Sequence, residues 1–77
     1  MTKQQFIEEL EDMLEAQRGT ITEDEMLFNV DGWDSLAVIT FIAFVDESLG
    51  LTLKANKIAE AKSIADLIAL VAEKLEN

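Results

Sequence analysis

The sequence predicts a small all-α domain of four helices, three long and one short. Three observations carry that reading. There is no Pro and only three Gly in 77 residues, so long segments run unbroken. Apolar residues recur at helical spacing in three stretches, and Ser, Thr or Asp stands where each of those stretches begins. With 49% apolar residues the chain has material for a core, yet it is near the size limit for folding without disulfides or metals.

The first helix is expected to open at Thr2, whose hydroxyl can cap the amide of Gln5. It continues through Phe6, Ile7, Leu10, Met13 and Leu14, with Glu8, Glu9, Glu11, Asp12 and Glu15 on its other face. Gly19 reads as its stop. Residues 17–34 then form a long loop with a turn at Thr22–Leu27, pinned to the core by Met26, Leu27, Phe28 and Val30. A connection of that length in so small a domain points to a function or to hidden structure.

Asp34 is placed to cap a second helix from Ser35 to Leu49, and Gly50 to close it in the left-handed region. Leu51–Asn56 lead to a short turn around Lys57–Ala61. Ser63 and Asp66 form a cap-like pair for the last helix, whose stripe is Ile64, Leu67, Ile68, Val71 and Leu75. One domain spans 1–77, without repeats or low-complexity tracts.

Six Lys and Arg against sixteen Asp and Glu give a net charge of −10. Such a surface repels phosphate backbones and anionic headgroups, so neither nucleic acid nor membrane is an expected partner. It attracts basic patches and speeds encounter with them. The absence of Cys and His removes disulfides, thiolates, the commonest metal ligand and the commonest base near neutral pH. That inventory is poor for catalysis, and with no leader or spanning segment visible, the longest apolar run being Phe41–Val45, the expectation is a soluble cytoplasmic protein.

The informative segment is Asp31-Gly32-Trp33-Asp34-Ser35-Leu36, where a Gly-containing turn delivers an Asp and a Ser to the start of an apolar helix. Taken locally, Asp34 is an N-cap, Ser35 a tolerated first-turn residue and Leu36 a core residue. Other chemistries fail on the same residues. A Ser nucleophile lacks a His, and nothing local would lower the pKa of Lys54 or Lys57 to replace it. An EF-hand register on Gly32 puts Leu27 and Val38 at the two carboxylate ends. A glycosidase-like pair needs a cleft that the chain is too small to build.

In its length, acidity, helix order and mid-chain Asp34-Ser35-Leu36 at the start of the second helix, the chain resembles the acyl carrier protein family over residues 3–76. The resemblance implies an acyl-carrier-like four-helix bundle in which Ser35 receives 4'-phosphopantetheine from coenzyme A by way of a phosphopantetheinyl transferase. Asp34 would lie close to the metal that the transferase uses. Acyl groups would ride as thioesters, in fatty acid or polyketide biosynthesis, between an activating ligase, a synthase or an acyltransferase, and a carrier that must visit several enzymes is expected to be a monomer without enzymatic activity of its own. An aminoacyl or peptidyl carrier is the alternative cargo reading. An unmodified helical interaction module is the alternative of a different class.

Two features depart from the family pattern. Between Ser35 and Val45 the second helix has no charge, and Ala37, Val38, Phe41, Ala43 and Phe44 occupy sides that Leu36, Ile39 and Ile42 do not. A helix apolar nearly all round is either buried or presents a binding patch. Val38 and Phe41 are expected on a partner surface and Phe44 in an internal acyl pocket; the alternative is that the short third helix and the loop cover them. Trp33, before the Asp, is expected to staple the loop, or else to touch the arm or a partner. Both departures suggest a specialised carrier.

Overall fold

A computed structural model describes residues 1–76. The order is α1 (Lys3–Met13), a 3₁₀ turn (Leu27–Asn29), α2 (Ser35–Leu49), α3 (Ala55–Glu60), α4 (Ile64–Val71) and a closing 3₁₀ turn (Ala72–Lys74). Among the described residues there is no strand, and the domain measures 26 × 25 × 19 Å.

Side chains start α1, α2 and α4 where the sequence placed them. Thr2 accepts from the Gln5 amide at 3.1 Å while Gln5 accepts from the Thr2 amide at 2.8 Å, a reciprocal capping box. Ser63 and Asp66 repeat it at α4, each accepting at 3.2 Å from the other's amide. Gly50, at φ +70°, closes α2 as expected.

The end of α1 differs from expectation. It stops at Leu14, not at Gly19. Glu15 adopts φ +58°, with Glu15 N donating to Asp12 O and Ala16 N to Glu11 O. That pair of bonds is a Schellman closure, with a glutamate where glycine is usual. A left-handed non-glycine residue costs about 1 kcal/mol or more, so composition alone points to Gly19.

Phe6 and Leu10 from α1, Phe41 and Val45 from α2, and Ile64, Leu67 and Val71 from α4 are completely buried, with Ile58 of α3 closing one end. The long loop is tied down in two ways. Its second half pairs with the α3–α4 connection through Leu27 N to Lys62 O (2.9 Å) and Ile64 N to Glu25 O (2.9 Å), around an isolated Met26–Ser63 bridge. Its first half is held by Glu11. The sequence assigns this residue to the polar face, but it is 1% exposed, and its Oε2 accepts from Gly19 N at 2.9 Å and Ile21 N at 3.1 Å. The loop's 3₁₀ turn falls just after the expected Thr22–Leu27, and Phe28, expected to pin it, is 81% exposed.

The orientation of α2 is the main correction. Ala37, Phe41 and Val45, at i, i+4 and i+8, face the core, whereas Leu36 and Ile39 are 71% and 64% exposed. Phe41 is therefore no partner contact. It is enclosed by Phe6, Trp33 and Phe44, with ring centroids 5.8 to 6.5 Å away and a T-shaped arrangement with the first two.

Candidate functional site

The site forms where the loop becomes α2. Gly32 takes φ +86°, and Trp33 N donates to Val30 O at 3.2 Å, so the chain reverses within one turn. A side chain at Gly32 would meet Leu14 only at ordinary contact distance, so the positive φ is what favours glycine there. Asp34 follows in extended conformation. Its Oδ1 accepts from Ala37 N at 2.9 Å and its carbonyl from Val38 N at 3.0 Å, which makes it the N-cap.

Ser35 is the first helical residue and is exposed. Its hydroxyl stands at the positive end of a fifteen-residue helix, where first-turn amides lack intrahelical acceptors. A phosphodiester formed there would be tolerated electrostatically. The arrangement supplies an accessible hydroxyl and no base, since the chain has no His. It can accept a group but has no means of activating itself.

Ser35 follows the exposed carboxylates of Asp31 and Asp34, but beyond it the surface of α2 is uncharged until Asp46. Leu36, Ile39, Thr40 and Ala43, all exposed, form one face of α2 that starts beside the serine, and Asp46 and Glu47 come only at its far end. Trp33 is half-buried and meets the Phe41 ring edge-on at 72°, so it fastens the entry of α2 to the core. Val38 is half-buried against the core, and Phe44 packs its ring on Phe6 at 5.9 Å and on Phe41 at 6.5 Å. A chain entering beside Phe44 would have to part these rings.

Beside Ser35 lies an open groove of about 200 Å³ between the end of α1 and the start of α2. Met13, Leu14, Glu15, Gly32, Asp34, Leu36, Ala37 and Thr40 line it. Sequence reasoning missed this groove, the exposure of Ile39 and the anchoring role of Glu11. A helix without charge carries no polar face from which its orientation could be read, and a lone buried glutamate among exposed ones leaves no pattern.

Among the described residues no three acidic or other ligating side chains group as a metal site would need, and no helix is long and apolar enough to cross a membrane. The family model described as phosphopantetheine attachment site matches residues 4–71. No curated protein and no solved structure matches the chain.

Proposed function

The chain belongs to the phosphopantetheine-attachment family, and on that premise we propose that Ser35 receives the arm and that the chain carries acyl groups as thioesters on it. Carriers of this family bear a covalently attached 4'-phosphopantetheine and are not themselves catalysts. They work with a phosphopantetheinyl transferase and with acyl-handling enzymes.

The observation that carries the assignment is the exposed hydroxyl of Ser35 at a helix start fixed by Asp34. A transferase needs only that from its substrate. The Ser35 Oγ–phosphorus bond forms, the pyrophosphate bond of coenzyme A breaks, the nucleotide half leaves, and the hydroxyl proton passes to the transferase. The arm supplies the thiol that the chain, with no Cys, lacks. Asp34 holds the helix start and lends a carboxylate beside the transferase's metal.

The net charge of −10 supports acyl cargo and partners with basic patches. An aminoacyl or peptidyl cargo is the second reading, favoured by the uncharged exposed face of α2. On either cargo, Leu36 and Ile39 belong to the surface that meets partner enzymes, because any enzyme that reaches Ser35 also approaches them. Their exposure supports this in place of Phe41.

Intact mass after incubation with coenzyme A, magnesium and a broad-specificity transferase tests the assignment, with Ser35→Ala alongside. A gain of one phosphopantetheine that is lost in the mutant is the expected result. No gain in a folded chain across several transferases would overturn it in favour of an unmodified docking module.

A further inference from the structure

The groove between α1 and α2 begins at the residues on either side of Ser35, namely Asp34 and Leu36. We propose that it is a resting site for the proximal, pantoyl part of the arm; this rests on the assignment of Ser35 above. Three properties of the groove select that occupant.

Size comes first. Pockets for drug-sized molecules run from about 300 to 1,000 Å³, so a groove of about 200 Å³ holds one segment of the arm and not the arm with its cargo. Chemistry comes second. Met13, Leu14, Leu36 and Ala37 give the lining apolar surface for the geminal dimethyl group. The rim carries the carboxylates of Glu15 and Asp34 and the hydroxyl of Thr40, whose proton is already donated to Leu36 O at 3.0 Å. Every polar side chain of the rim is thus an acceptor, and the pantoyl segment brings a hydroxyl and an amide N–H to donate. The Glu15 carboxylate on the groove repels anions while the first-turn amides of α2 attract them, which leaves the phosphodiester at the helix start.

Third is the tether. A ligand linked through the adjacent residue is present at an effective concentration on the order of millimolar. Weak complementarity is then enough to populate the groove, and weak enough to release the arm when a partner binds. The distal thiol and cargo project beyond it toward Ile39 and the neutral face of α2.

Unlabelled coenzyme A loaded onto uniformly ¹³C,¹⁵N-labelled protein gives an arm whose contacts are isolated by isotope-filtered NOE spectra. Mass spectrometry of the same sample verifies loading. The expected result is NOEs from the geminal methyls to the side chains of Met13, Leu14 and Ala37, with none from the methylenes next to the thiol. Thr40→Phe, which fills the groove from an exposed helical position, should abolish those NOEs in protein whose mass shows it to be loaded. Full loading with no such NOEs, or with NOEs to α3 instead, would overturn the groove and leave Ser35 standing. A mass that does not change would overturn both.

Discussion

Replacing Glu11 by Ala tests how the long loop is held. In the native chain one carboxylate oxygen accepts from Gly19 N and Ile21 N while the other, Oε1, is buried without a partner. Removing the side chain orphans the Ile21 amide, which is buried, at a cost of about 1–3 kcal/mol. It also removes a buried methylene worth about 0.8 kcal/mol. The Gly19 amide is only part-buried and can rehydrate, and loss of the unsatisfied Oε1 returns part of the total. The net expectation for Glu11→Ala is a loss of about 1–3 kcal/mol, a large share of the 5–15 kcal/mol typical of a domain. With a urea slope near about 1 kcal/mol/M for so small a chain, the midpoint should fall by about 1–3 M. Glu11→Gln keeps the acceptor for both amides and exchanges the unpartnered Oε1 for an equally unpartnered NH2, so its loss should stay below that of Glu11→Ala. Urea unfolding by circular dichroism reads both variants, and hydrogen exchange at the Ile21 amide should accelerate in the Ala variant alone. An Ala variant within about 0.5 kcal/mol of the parent, or a Gln variant as damaged as the Ala one, would refute the anchoring argument.

Phe41→Ala should cost about 3–5 kcal/mol in urea unfolding, whereas Ile39→Glu should leave stability within about 0.5 kcal/mol and slow acyl transfer by a partner enzyme. The opposite pattern would return Phe41 to the surface. Asp34→Asn keeps the cap and should retain stability within a few tenths of a kcal/mol, whereas Asp34→Ala should lose about 1 kcal/mol; slower loading in both variants, measured by intact mass over time, would assign the carboxylate to the transferase reaction. Glu76 accepts a hydrogen bond from the N-terminal ammonium of Met1, and that bond, with the attraction between the charges, holds its carboxyl below the usual carboxylate range. Because the folded pKa is the lower one, this contact stabilises above the unfolded value of about 4.3 and fades as pH falls through the folded value. A ¹³C titration of the Glu76 carboxyl should therefore show a midpoint below that of an N-acetylated chain.

Helix starts were legible because a cap is a local event. Thr2, Asp34 and Ser63 each satisfy the amide three residues onward, and the sequence displays both partners. Gly50 was legible for the same reason. Helix ends were less so: Glu15 closes α1 in a conformation that its residue type disfavours, which only the packing of residues beyond it can enforce. The short helix, expected at Lys57–Ala61, starts two residues earlier and ends one earlier, at Ala55–Glu60.

The attachment motif was legible as well, since an Asp-Ser-Leu at a helix start is a feature of consecutive residues. Its surroundings were not. From Ser35 to Val45 the second helix carries no charge, so several faces were equally able to pack inward, and the choice of Ala37, Phe41 and Val45 over Leu36 and Ile39 was made by Phe6, Trp33 and Phe44 closing around one ring. Glu11 likewise looked like its acidic neighbours until the returning loop offered two amides to it. Capping and the motif were thus determined by the sequence itself, because they act over a few bonds. The face turned to partners, the groove beside Ser35 and the buried anchor of the loop were decided by tertiary packing, because each depends on which distant segment arrives to exclude water.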